Sequence, residues 1–381
     1  MDFSRRTAWD LGEHELAAAV RVRRAGGEEV IDLTVSNPTS CGFGYDEALL
    51  LGPLASAAGL GYAADPLGMR AARAAVAGYY RDLGAEVAVE RICLTTSTSE
   101  AYSFLFRLLC DPGDEVLVAR PSYPLFDFLA RLDDVELREY ALLHDPHAGW
   151  SIDLDGLRAA IGARTRAVIV VHPNNPTGNF ASAAERATLE ALCAEKGIAL
   201  LVDEVFLDYA IGEQQPSFAL GEARCLTFVL SGVSKICGLP QMKVSWMVAG
   251  GPGALVGAAM ERVEVIADTF LSLNAPVQLA LPVWLEQRHS IQRQILERVR
   301  ENLGVLEGAA GQRLGVEAGW TAVLRVPRTV DGVPFAEAAV GRGVLVQPGE
   351  FYGLPQGRAV VSLLTPVELW RRGLALLPLG R

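Results

Sequence analysis

The stretch RAVIVVHPNNPTGN, residues 166–179, joins a run rich in β-branched side chains to a turn of Asn, Pro and Gly. β-Branched residues suit a pleated, buried strand, and Asn, Pro and Gly each favour chain reversal. The stretch therefore predicts a strand ending abruptly in a loop that carries two adjacent amides, Asn174 and Asn175. Similar apolar runs recur around it: RICL (91–94), EVLV (115–118), VELREY (135–140), IALLVD (198–203), CLTFVL (225–230) and VSWMVA (244–249). Helix-like segments separate several of them. SAAERATLEALCAEKG (182–197) opens with a capping box of Ser182 and Glu185 and stops at Gly197. This alternation predicts an α/β fold with a mostly parallel, seven-stranded sheet sandwiched by helices. Such sheets bind ligands beyond the carboxyl ends of their strands, so motifs that follow a strand matter most.

The flanks read differently. Residues 13–25 suit a helix closed by Gly26 and Gly27, with a strand at 29–35. A long amphipathic helix is expected from Pro276 to about 307, then strands at 321–326, 343–346 and 359–363 and a last helix from Pro366. The expected organisation is an N-terminal segment (1–45) contributing to a small α/β domain, a large ligand-binding domain (46–275), and the rest of the small domain (276–381).

Composition narrows the function. Half of the 381 residues are apolar, enough for a large core, and no apolar run reaches the length of a membrane helix. MDFSRRTAWD has no apolar segment behind its arginines and does not read as a signal peptide. The six scattered cysteines read as reduced thiols of a cytoplasmic protein. A net charge of −11 argues against nucleic acid and leaves a small molecule as the expected partner.

Individual motifs have plain readings beside sharper ones. Ser97, Thr98 and Ser99 follow a strand and open a helix; they are good caps, and the same helix start would cradle a phosphate. Asp203 ends an apolar strand, where an unpaired carboxylate is costly, so it should face a cation. GGPGALVG (250–257) has the wrong spacing for a dinucleotide site and reads as a structural turn. Lys235 alone would be a surface lysine, although Ile236, Cys237 and Leu239 around it are apolar.

As a set, and in this order, these residues resemble the class I/II aminotransferases, the aspartate aminotransferase superfamily of pyridoxal-phosphate fold type I. Asn-Pro-Thr-Gly at 175–178, Asp203 and Ser234-Lys235 carry the resemblance, with SNP (36–38), Tyr62 ahead of DPLG, PSY (121–123) and PGEFYG (348–353). It implies an aminotransferase that moves an amino group between an amino acid or related amine and a 2-oxo acid. Lys235 would form the Schiff base with the cofactor and serve as acid and base. Asp203 would face the pyridinium nitrogen, Asn175 the ring oxygen, and Tyr123 would stack on the ring. Ser97, Thr98, Ser99, Ser234 and Lys243 would hold the phosphate, and Phe206 would lie beside the ring. Ser36, Asn37, Asn175 and Arg358 would meet the substrate. Tyr62 would reach the phosphate of a neighbouring subunit, which implies a homodimer.

The departures bear on the substrate. Lys243 and Phe206 stand where the family usually has Arg and Tyr, and Tyr209 is a candidate substitute for the lost hydroxyl. Gly232 stands where a phosphate-binding Ser is common, leaving Ser231 or Ser234 to compensate. Val360 occupies the position of the Arg that grips the substrate carboxylate. Arg358, two residues upstream on the same strand face, is the candidate replacement. These changes keep two alternatives open: β-elimination or cyclisation on the same cofactor, and a non-catalytic sensory domain.

Overall fold

A computed structural model describes residues 1–62, 64–310 and 313–379. Its central sheet has eight strands in the spatial order Ile92–Thr95, Ser245–Gly250, Thr227–Gly232, Ala199–Asp203, Thr165–Val171, Glu115–Arg120, Glu136–Asp145, Gly149–Ile152. The run from Thr227–Gly232 to Glu136–Asp145 is parallel throughout. Ser245–Gly250 and Gly149–Ile152 run the other way. Seven of the eight are the expected strands. The eighth, Gly149–Ile152, folds back along the edge as a hairpin, and its four residues are too few to show a period.

Helices cover both faces, and alternate strand residues divide between them. Leu200 and Val202 pack with Val76 and Leu189, whereas Ala199 and Leu201 pack with Leu105 and Val263. That is the period of two expected of a strand buried on both sides. The capping box at Ser182 and Glu185 forms as the sequence suggests.

A further core gathers the two chain ends. Leu16, Ile31 and Leu33 join Ile295, Trp320, Val361 and Trp370 there. Ile31–Asp32 pairs with Val344–Leu345, and Thr321–Arg325 pairs with Arg358–Ser362, which also holds Gln347–Pro348. The strand expected at 29–35 is only two residues long. The Asp32 carboxylate accepts from Thr34 N and Oγ1, a local turn that competes with the ladder.

The helix Ala275–Ala310 belongs to both cores: Leu281 and Trp284 lie in the first, Ile291, Ile295 and Val299 in the second. We propose a large domain of 46–275 and a small one of 1–45 and 276–381, with this helix as their common member. A second tie is the Asn-Pro-Thr-Gly loop. Gly178 O accepts from Glu317 N (3.1 Å) and Ala318 N (2.8 Å). Gly178 has φ +70°, and a Cβ there would meet Ala318 O at 2.5 Å, so only glycine permits the approach.

Candidate active site

At the carboxyl ends of the parallel strands, between the two cores, lies a cavity of about 510 Å³. Lys235 enters it from the short helix Val233–Ile236, directly after the strand Thr227–Gly232. The backbone here is held firmly: Tyr209 Oη donates to Lys235 O (2.6 Å) and Gln292 Nε2 to Ile236 O (3.0 Å). The Lys235 amine is left without a hydrogen-bond or ion-pair partner among the described residues. Two aromatic rings lie near it, with Nζ 5.2 Å from the Trp320 ring centre and 5.6 Å from that of Phe206. Burial pushes its pKa below the ordinary lysine value, and the charge of Asp203 only partly opposes this.

Asp203 ends the neighbouring strand. It accepts from Tyr102 Oη (3.2 Å) and Val205 N (3.1 Å), too little to offset burial, which raises its pKa to about 6. Burial acts likewise on the adjacent Glu204, raised to about 7, but that side chain turns away to Ser217 Oγ and Phe218 N.

The two asparagines of the opening motif have different duties. Asn174 Nδ2 donates to Pro121 O (3.1 Å) and Thr177 Oγ1 (2.7 Å), which braces the loop. Asn175 lines the cavity and its side chain makes no hydrogen bond among the described residues, so its Nδ2 is free to donate; its Oδ1, like that of Asn174, is buried without a partner. A buried amide without a bond is costly unless a ligand completes it.

The helix Thr98–Leu109 points its N-terminus at the cavity. Ser97 caps it by accepting from Glu100 N (3.1 Å), and Ser97, Thr98 and Ser99 all line the wall. Thr95 and Ser245 are paired across neighbouring strands, so the chain leaving toward Ser97 runs beside the chain arriving from Lys243. Lys243, exposed, also lines the cavity, with Tyr123, Phe206 and Ser234. Dipole, hydroxyls and ammonium together make this an anion site.

Of the expected residues, Ser36, Ser97, Thr98, Ser99, Tyr123, Asn175, Asp203, Phe206, Ser234, Lys235 and Lys243 therefore meet at one cavity. Three do not. Asn37 is engaged in capping the turn Pro38–Ser40, its Oδ1 accepting from Thr39 N. Tyr62 is highly exposed and lines a separate cleft with Asp65, Leu271 and Gln278. Arg358 lines an outer groove with Arg328 and Glu337, and its Nη1 donates to Gly357 O. Sharing a strand face with Val360 is not enough, because two residues along a strand move a side chain about 7 Å.

Of the suggested substitutes, Ser234 lines the cavity, and Tyr209 and Ser231 do not serve. Tyr209 is fully buried and spent on Lys235 O, and Ser231 Oγ turns to Glu204 O. A Cβ at Gly232 would overlap the Ser245 hydroxyl, so Ser245, which lines the cavity, fills the space a larger residue at 232 would need. Thr34, Ser245, Thr321, Gln347, Tyr352 and Ser362 also line the site. Tyr352 lies in PGEFYG, and Gln347, just ahead of it, is the polar member of an apolar run; that was the available signal.

A partnerless lysine, a buried carboxylate, an open amide and an anion site fit a group with an aldehyde, a ring nitrogen and a phosphate. The family model for aminotransferase class I and II matches residues 53–369. The chain belongs to this family. It is a pyridoxal-phosphate-dependent aminotransferase of fold type I. The glutamate-pyruvate aminotransferase AlaA of Haemophilus influenzae is 28% identical over 71% of this chain and 67% of its own. The S-alkyl-thiohydroximate lyase SUR1 of Arabidopsis thaliana is 31% identical over 58% of this chain and 48% of its own. The solved alanine aminotransferase of Pyrococcus furiosus shares the fold, with a TM-score of 0.89, 22% identity and 98% coverage of both chains.

Proposed function

We propose that Lys235 carries the cofactor covalently and, once the substrate amine displaces it, moves the proton at the substrate α-carbon. The observation that carries this is the buried Lys235 amine, partnerless and beside Asp203. When bound, pyridoxal phosphate supplies an aldehyde for amine exchange and a ring that takes up the electron pair left by the departing proton. A lysine whose pKa is lowered by burial is a better base near neutral pH. Asp203 would hold a proton at the ring nitrogen, and Asn175 would donate to the ring oxygen. Tyr123 and Phe206 would contact the ring. Ser97, Thr98, Ser99, Ser234 and Lys243 would hold the phosphate. Borohydride reduction of the loaded protein followed by peptide mass spectrometry tests this: the added mass belongs on the peptide containing Lys235, and its absence there sinks the assignment.

The named relatives suggest the donor. Two aminotransferases whose names specify alanine or pyruvate support a small neutral amino acid exchanging with a 2-oxo acid. Phe206, which brings no hydroxyl to the ring, together with the lyase relative, supports elimination as a second reading. Adding amine without oxo acid separates them, because transamination stops at the aminated cofactor while a lyase releases ammonia and oxo acid. We further propose a homodimer. Tyr62 is 85% exposed in a cleft it shares with Leu271, and Leu49, Leu51 and Leu60 of the preceding segment are exposed too, which suits a subunit interface. The six free cysteines suit a cytoplasmic location. No described helix is long and apolar enough to cross a membrane.

A further inference from the structure

The cavity around Lys235 has two chemically different walls. The wall from the central sheet carries its charges: Asp203, Lys235, Lys243 and the helix start at Ser97. The facing wall, from the two chain ends, is formed by Thr34, Ser36, Gln347, Tyr352, Val360 and Ser362, and none of these is charged. Val360 is buried among Leu314, Val323, Tyr352 and Leu354. The nearest cation along its strand, Arg358, lies in the outer groove.

One side chain of that wall is set up to donate. Gln347 stands opposite Val360 in the antiparallel register. Its Oε1 accepts from the Tyr352 hydroxyl, which fixes the amide and leaves Nε2 without an acceptor among the described residues. Thr321 Oγ1 donates to Pro176 O, whereas the Ser36 and Ser362 hydroxyls only accept, from Trp320 Nε1 and Leu364 N, and keep their own protons as further neutral donors beside Gln347.

We infer that Gln347, positioned by Tyr352, receives the substituent on the substrate's α-carbon and reads it as a hydrogen-bond acceptor, not as a charge. The substrate class is then amino compounds whose α-carbon bears a carbonyl acceptor, carboxylate or primary amide alike. A guanidinium would favour the carboxylate through charge and a second parallel bond. A single neutral N–H donor bonds either oxygen and separates the two far less. This rests on the reading of Lys235 as the cofactor-bearing residue.

The test compares L-alanine with L-alaninamide in the half-reaction, followed by loss of the absorbance of the Lys235-bound cofactor. Ligand-observed NMR gives the dissociation constants of propionate and propionamide, which cannot react. In the native enzyme, acid and amide should agree within about tenfold in both measurements. Gln347→Glu should shift both ratios toward the amide by at least about tenfold, and Gln347→Leu should weaken acid and amide together. Propionate bound more than about a hundredfold tighter than propionamide would overturn the inference, since that preference requires a cation. So would ratios that Gln347→Glu leaves unmoved. If the loaded protein shows no cofactor band at Lys235, the reading of Lys235 fails instead, and the two dissociation constants still decide the role of Gln347.

Discussion

Lys235 Nζ lies 5.2 Å from the centre of the Trp320 ring, and the charge that most favours its protonation is that of Asp203. Burial disfavours the charged form of both groups, so each costs stability in the cofactor-free protein.

For Lys235 the sign is set by a pKa below the ordinary 10.5. Between the lowered value and 10.5 the unfolded chain holds more protons than the folded one, so stability rises with pH. Lys235→Met should therefore raise the melting temperature of cofactor-free protein near pH 7, by about 1 °C for each kcal/mol released in a chain this size. The gain should shrink toward pH 10.5. Calorimetry across that range checks both statements.

For Asp203 the sign is opposite. Its pKa of about 6, against 3.8 ordinarily, means that the folded state holds the extra proton between those values. Stability thus falls as pH rises through that window, and the full cost stands above it. Asp203→Asn should stabilise cofactor-free protein by roughly 3 kcal/mol above pH 6 and by little below pH 3.8. The same change should weaken transamination severely. A variant that is both less stable and inactive at pH 7 would contradict this account.

Gly232 and Ser245 share one volume. Gly232 has an extended backbone, so the constraint is space rather than conformation. Gly232→Ser alone should destabilise by about 1–3 kcal/mol through overpacking. Ser245→Gly in the same chain should restore part of that loss, the clash with Val244 O (2.9 Å) remaining, a coupling that a double-mutant cycle in urea would measure. Additive effects would mean that the two sites do not compete.

Lys243 adopts φ 53° and ψ 55°, a region that costs a non-glycine residue about 1 kcal/mol. Lys243→Gly should recover about that much in the cofactor-free protein. Cofactor affinity should drop about tenfold as the charge is lost, while Lys243→Arg keeps it. Equilibrium dialysis against denaturation midpoints separates the two effects.

What could be read in advance followed from local rules. β-Branched runs marked the strands, Ser182 with Glu185 marked a helix start, and Asn175, Asp203 and Lys235 stood at strand ends where ligands bind. What escaped depended on three-dimensional neighbours. Arg358 obeyed the period of two yet fell beyond the cavity edge, where the outer groove begins. Tyr209 had the right hydroxyl, already committed to a backbone carbonyl. Ser245 and Gln347 carry no motif; one matters because of the glycine beside it, the other because of the tyrosine that holds it. Asn174 and Asn175 look alike in sequence, and only the brace to Pro121 distinguishes the structural amide from the open one.

The 36 residues of Ala275–Ala310 have a consequence for how the molecule denatures. Loosening the second core would expose Ile291, Ile295 and Val299 while the same rod is still clamped by Leu281 and Trp284. A rod shared in this way couples the two cores, so the expected outcome in calorimetry of the cofactor-free protein is a single transition, and two resolved transitions would show that the cores melt apart.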